Sequence, residues 1–122
     1  IYATDTTGIR IVTAERGHAV CERPIMEHIL NANGVPMGGA LFTLGDFTFA
    51  IAANACTDGV TVARSASITY LSASKGTMLT AEAKGIKAGR RASLYDITIT
   101  DDTGAVIAHM TGDGFTLGEF VK

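Results

Sequence analysis

The residues predict an α+β domain in which one long apolar helix is held against a curved antiparallel sheet. Two observations carry that expectation. Residues 40 to 56 are apolar on nearly every side and long enough for about five helical turns. Residues 61 to 72, 77 to 86, 92 to 100 and 106 to 117 carry β-branched side chains or alternate in polarity, and turn formers separate them. At 122 residues the chain fits a single domain, residues 1 to 122, able to withdraw about two-thirds of its unfolded surface from water.

In chain order, residues 9 to 13 and 18 to 24 flank Glu15-Arg16-Gly17 and read as a first pair of strands. Asn31, Asn33, Gly34 and Pro36 then crowd together, so residues 25 to 36 form a loop with a tight turn and do not extend the helix. The helix follows Gly38-Gly39, and being apolar all round it must be enclosed. Past it, Val62, Ala66, Ile68 and Tyr70 fall on one side of the pleat, with Thr61, Ser65, Ser67 and Thr69 on the other. Lys87-Ala88-Gly89-Arg90-Arg91 separates two later strands, and Asp101-Asp102-Thr103-Gly104 has the chemistry of a hairpin turn. The four strands after the helix are expected to form an antiparallel meander curving around it.

Composition narrows the function classes. Ten basic residues are scattered among twelve acidic ones for a net charge of -2, which leaves no nucleic-acid footprint. The apolar stretch from Ala40 is broken by Thr43, Asp46, Thr48 and Asn54 and falls short of the ~20 residues of a membrane span. Cys21 and Cys56 are too few for a disulfide scaffold and lack zinc spacing, which points to a reducing cytoplasm. His18, His28 and His109 stand on separate elements with no metal spacing, and surface or core roles suit all three.

One residue conflicts with the helix that contains it. Asp46 sits among Leu41, Phe42, Leu44, Phe47 and Phe49, where an unpaired buried carboxylate costs roughly several kcal/mol. It must face a groove, meet a neutralising partner or cap a neighbouring segment.

The stretch Asn31-Ala32-Asn33-Gly34-Val35-Pro36-Met37-Gly38-Gly39, continued by Phe42, Leu44 and Asp46, resembles the N-x-x-G-x-x-H-G-G…F-x-L-x-D signature of hotdog-fold thioesterases, closest to the PaaI-like branch. Ser67 to Leu71 resembles that family's strand after the helix, and Gly89-Arg90-Arg91 with Tyr95-Asp96 its G-R…Y-D strand start. Met37 occupies the family's histidine position, and Ala73 stands where a strand proline often follows. The resemblance implies the hotdog fold, a long central helix wrapped by a curved antiparallel sheet. It also implies homodimers, often paired into homotetramers, and acyl-CoA as substrate. Asn31, Gly38 and Asp46 take the catalytic positions by that resemblance, with Met37, Gly39, Arg90 and Arg91 as substrate-binding residues.

The chemistry agrees with the motif. Thioester hydrolysis needs donors for the developing oxyanion and a group that activates water or attacks the carbonyl. Backbone amides of Gly38 and Gly39 at a helix start supply unsatisfied donors and positive potential, and glycine lets a ligand come close; tight entry of a buried helix is the plainer role for the pair. Residue 46 follows residue 38 by eight positions, roughly 12 Å along a helix. One carboxylate therefore cannot serve its own helix N-terminus, and a second chain with an antiparallel helix is required. Asn31 can hold a water or the carboxylate, or simply form a turn. Lys84, Lys87, Arg90 and Arg91 form either a solvated turn or a contact for coenzyme A phosphates.

The expected protein is a homo-oligomeric acyl-CoA thioesterase without metal or bound cofactor. Two alternatives are a hotdog protein that binds an acyl ligand without turnover, with Met37 as the mark of lost catalysis, and a hydratase or dehydratase. The last needs a histidine and acid pair over the acyl chain, and the helix region has no histidine.

Overall fold

Six antiparallel strands and one long helix make up the computed structural model, which describes residues 8–55, 59–89 and 91–119. The strands are β1 (Arg10–Glu15), β2 (His18–Pro24), β3 (Gly59–Tyr70), β4 (Met78–Ala88), β5 (Ala92–Asp101) and β6 (Val106–Glu119), and the helix is α1 (Gly38–Asn54). A single 3-10 turn, Glu27–Ile29, interrupts the loop between β2 and α1. The hotdog architecture expected from the sequence is the one observed.

Alternation decides which side of each strand is buried. Ala19 and Cys21 of β2, Leu79, Ala81 and Ala83 of β4, Tyr95, Ile97 and Ile99 of β5, and Ala108 and Met110 of β6 point to the concave side and form the core, with Arg23 of β2 buried in the same alternation. Leu41, Leu44, Gly45, Thr48, Phe49, Ala52 and Ala53 recur at helical spacing and lie against them. The approach is close: a Cβ on Gly45 would stand 2.7 Å from Met110 Sδ. Phe49 meets Tyr95 edge to face, with ring centroids 5.3 Å apart.

The helix is enclosed on one side only. Thr43, Asp46, Phe47 and Ala50, on the other side, are partly exposed in the single chain. An amphipathic helix would cover such a side with charge, and this one leaves it apolar around a lone carboxylate.

The four-strand meander gives way to a different order. β4, β5 and β6 follow one another, but β3 pairs with β6 and not β4, so the sheet runs β1-β2-β4-β5-β6-β3. Asn54 at the helix end fixes the start of β3. Its Nδ2 donates to the Thr61 carbonyl at 3.1 Å, and its Oδ1 accepts from the Thr61 amide at 2.7 Å. β3 therefore starts at the far edge, and residues 71 to 77 carry the chain back across to β4. The alternation expected along β3 is also broken. A bulge between Ala63 and Ser65 shifts the register, so Thr61 turns to the helix while Ile68 and Tyr70 keep the concave side. The Asp101 to Gly104 hairpin is as expected, with Gly104 at φ 91° and the Asp101 carboxylate accepting from Ser74, Thr103 and Ala105. Those bonds hold that carboxyl well below the usual carboxylate range.

His18 pairs with Glu82 and His109 with Asp96 across strands on the convex side, and His28 is exposed, so all three take surface roles. The Cys21 thiol is buried, which raises its pKa; Cys56 lies outside the described residues.

Candidate active site

Helix α1 begins without a cap. Met37 has the extended backbone of an N-cap, φ -76° and ψ 153°, but no side chain there accepts a first-turn amide. The Ala40 and Leu41 amides reach the Met37 carbonyl at 3.0 and 3.3 Å. Those of Gly38 and Gly39 have no acceptor among the described residues, and the first turn carries no acidic side chain. Two free N–H groups and the positive end of the helix dipole thus stand together, a setting that favours an anion.

The loop that delivers the chain to this point is tightly built. Asn31 Oδ1 accepts from the Asn33 amide at 2.9 Å and the Val35 amide at 3.3 Å, the Asn31 amide donates to the Val35 carbonyl, and Met37 N donates to Ile29 O. Asn31 is therefore a turn former whose carbonyl oxygen is occupied; its exposed side-chain amide keeps its donors. Met37 is 42% exposed beside the helix start, and no Cβ contact closes the space at Gly39.

Gly38 has a neighbour that sequence reasoning placed on its strand without a role. A Cβ on Gly38 would lie 2.9 Å from both Cζ and Oη of Tyr70, and the Tyr70 hydroxyl donates to the Gly38 carbonyl at 3.2 Å. Only glycine admits the ring so close. The signal in the sequence was an aromatic ending a strand on the helix-facing side.

Asp46 stands apart from this group, roughly 12 Å further along the axis of its own helix. It is partly buried and has no hydrogen bond or ion pair among the described residues. Desolvation by the surrounding apolar side chains raises its carboxyl pKa. Within one chain the carboxylate and the free amides cannot meet.

Arg91 lies at the other end of the molecule. Its carbonyl accepts from Thr116, which is paired with Thr61, the strand residue tied to the C-terminal end of α1. An open cleft of about 430 Å³ sits at the turn between β4 and β5, lined by Lys87, Gly89, Ala92, Ser93, Leu94 and Asp113. Arg90 lies outside the described residues. Among the described residues no cluster of three or more His, Cys, Asp or Glu side chains could hold a metal ion. No helix among them is long and apolar enough to cross a membrane.

Comparison with known proteins adds to this geometry. A family model described as the thioesterase superfamily matches residues 33–108. The acyl-coenzyme A thioesterase PaaI of Escherichia coli is 32% identical over 113 residues, covering 91% of this chain and 79% of the relative. A 1,4-dihydroxy-2-naphthoyl-CoA hydrolase of Listeria monocytogenes is 28% identical over 101 residues, covering 81% of this chain and 82% of the relative. The solved structure of E. coli PaaI superposes with a TM-score of 0.92 at 28% identity, covering all of this chain and 88% of that one. A Streptococcus mutans protein solved with acetyl CoA superposes at 0.84 with 26% identity, covering 93% of this chain and 91% of its own.

Proposed function

The chain belongs to the thioesterase superfamily as a PaaI-like hotdog thioester hydrolase, and on that premise we propose that it cleaves an acyl-CoA to free acid and CoA at a site shared between two subunits. One observation carries the reading. A partly buried carboxylate lacks any partner in its own chain, and two free helix-start amides lie too far along the same helix to be reached by it.

The sheet offers the means of joining the halves. β3 is an edge strand of 12 residues, with Val60, Val62, Tyr70 and the following Leu71 exposed and its outer edge unpaired among the described residues. Long unpaired edges recruit another strand. Antiparallel pairing of β3 with its copy about a two-fold axis normal to the sheet sets both helices on one concave face, running in opposite directions. Asp46 of one subunit then approaches Gly38 and Gly39 of the other, and the apolar outer side of α1 is covered. The same axis brings the partner's β4–β5 hairpin, with Arg91 and its cleft, beyond the Gly38 end of the first helix. CoA phosphates would reach Arg91 there as the thioester sits at the amides. Arg90 is assigned to the same phosphates on sequence grounds. A dimer is the least assembly that completes a site, and pairing of dimers gives a tetramer.

In the reaction, the carbonyl oxygen of the thioester takes up negative charge and is held by the Gly38 and Gly39 amides, where each such donor is worth roughly a hundredfold or more in rate. Asp46 acts in its ionised form, as base toward water or as nucleophile toward the carbonyl carbon. Collapse breaks the carbon–sulfur bond and releases CoA thiolate, which is protonated from solvent. In the base route Asp46 then gives up the proton it took from water, and in the nucleophilic route water cleaves the acyl–Asp46 anhydride to release the free acid and restore the carboxylate. Asn31 donates through its side-chain amide to the water or the carboxylate. Met37 lines the mouth as an apolar contact where a histidine would donate. A second reading, acyl-CoA binding without turnover, draws on that substitution alone.

A panel of aromatic, short and medium acyl-CoA thioesters separates the two readings: hydrolysis of at least one is expected, and binding of several with cleavage of none favours the binder. Asp46→Asn should lower turnover by about a hundredfold or more while keeping the fold. Mixing that variant with Gly38→Val, which obstructs the amide site, should restore activity through heterodimers with one intact site. No recovery after verified subunit exchange would sink the shared site.

A further inference from the structure

Tyr70 closes β3 with its ring over Gly38 and its hydroxyl directed at the Gly38 carbonyl, 3.2 Å away. That carbonyl belongs to the same peptide group as the Gly39 amide. In a trans peptide the C=O and N–H point in opposite directions, so a donor on the oxygen leaves the Gly39 N–H directed outward from the helix start. Resonance links the two ends. Charge drawn onto the carbonyl oxygen increases the double-bond character of C–N and makes the N–H a stronger donor, the cooperative effect seen along hydrogen-bond chains. The Gly39 amide has no acceptor of its own, and nothing lies within 4 Å of where a Gly39 Cβ would be.

We propose that Tyr70 is a positioning residue for the hydrolase reaction: it fixes and polarises the Gly38–Gly39 peptide, so that the Gly39 N–H becomes the stronger of the two oxyanion donors. The inference rests on the shared hydrolase site above. Glycine at position 38 has a second purpose here, because a Cβ would push the phenol ring away. Tyr70 is 51% exposed in the single chain, so its burial contributes little to the core, and the hydroxyl rather than the ring is the part that bears on the reaction.

Tyr70→Phe keeps the ring and removes only the donor. Cooperative strengthening of about 10–30%, applied to a donor worth two to three orders of magnitude, predicts a loss in kcat of roughly two- to tenfold. KM should stay within about twofold, since the interaction strengthens only as the oxyanion forms. The thermal midpoint should be unchanged, and the Gly39 amide nitrogen resonance should move upfield. Placing a more acidic fluorinated tyrosine at position 70, assayed where its phenol is protonated, should restore kcat to the native value or above. An unchanged kcat in Tyr70→Phe overturns the inference, and the hydrolase reading stands if Asp46→Asn is inactive in the same assay. A loss carried by KM, or matched by a fall in thermal midpoint, marks a structural contact and also overturns it. Native protein that cleaves no acyl-CoA removes both readings.

Discussion

The two ends of helix α1 are finished in opposite ways. At the C-terminal end the Ala50, Ile51 and Ala52 carbonyls are taken up: Gly17 donates to Ala52 at 3.0 Å, Ala55 to Ile51 at 2.9 Å, and Asn54 Nδ2 to Ala50 at 3.0 Å. Asn54 also clasps both backbone groups of Thr61. At the N-terminal end Met37 caps nothing, and two glycine amides are left open. The same rule, that helix termini leave polar groups to be satisfied, is met from within the chain at one end and is not met among the described residues at the other. A helix end is worth more to stability when closed and more to chemistry when open.

Capping the open end is the sharpest way to break this contrast. Met37 already has N-cap backbone geometry, so Met37→Asp should place a carboxylate on the Gly39 or Ala40 amide. Stability should rise by about 0.5–2 kcal/mol, and kcat should fall by roughly tenfold to a thousandfold as the oxyanion donor is consumed and a like charge meets the anion. Thermal melts and steady-state kinetics on one preparation would show it. A variant that is both more stable and fully active would mean that the open amides are not used.

Opening the closed end should do the reverse. Asn54→Ala strips the Ala50 and Thr61 contacts and should cost about 1–3 kcal/mol, read by denaturant titration, with kcat changed by less than about twofold. A large kcat effect would show that the C-terminal end also bears on the site.

The smallest expected effect concerns Asp46 and pH. Burial raises its carboxyl pKa in the folded chain, so the stability linked to the protonated form is complete below the unfolded value and is lost as pH rises through the folded one. Asp46→Asn should therefore melt higher than the native protein near pH 7 and at about the same temperature near pH 3. Turnover of the native protein should climb over the window in which this stability declines, because the proposed mechanism uses the ionised form. Equal melting of the two proteins at all pH values would place Asp46 in a wet groove.

Legibility in the sequence followed the range of the interactions. The helix, the Asp101 to Gly104 hairpin and the three strands around it were readable because short-range periodicity and turn chemistry decide them. The motif around Asn31, Gly38 and Asp46 gave a candidate site, and the helical rise alone showed that its parts could not meet in one chain. The place of β3 was not readable, because it depends on Asn54 catching Thr61 and on pairing with a strand some fifty positions later. The bulge after Ala63 defeated alternation for the same reason: two residues opposite one partner leave no trace in polarity. Tyr70 read as one more apolar residue of a pleat, and only three dimensions bring its hydroxyl to a peptide 32 positions earlier.

The pairing of β3 with β6 also sets an order of events during synthesis. Gly59 pairs with Glu119 and Tyr70 with Ala108, so this strand emerges from the ribosome well before anything exists for it to lie against. For that interval both of its edges are bare. Closing so long a loop is slow, and a smooth apolar strand waiting that long would find copies of itself on neighbouring nascent chains. Arg64, Ser65 and Ser67, polar residues in the middle of the strand, make β3 a poor template for such early contacts. The strand left at the edge of the described sheet is thus polar through its middle while its own last strand is still to come.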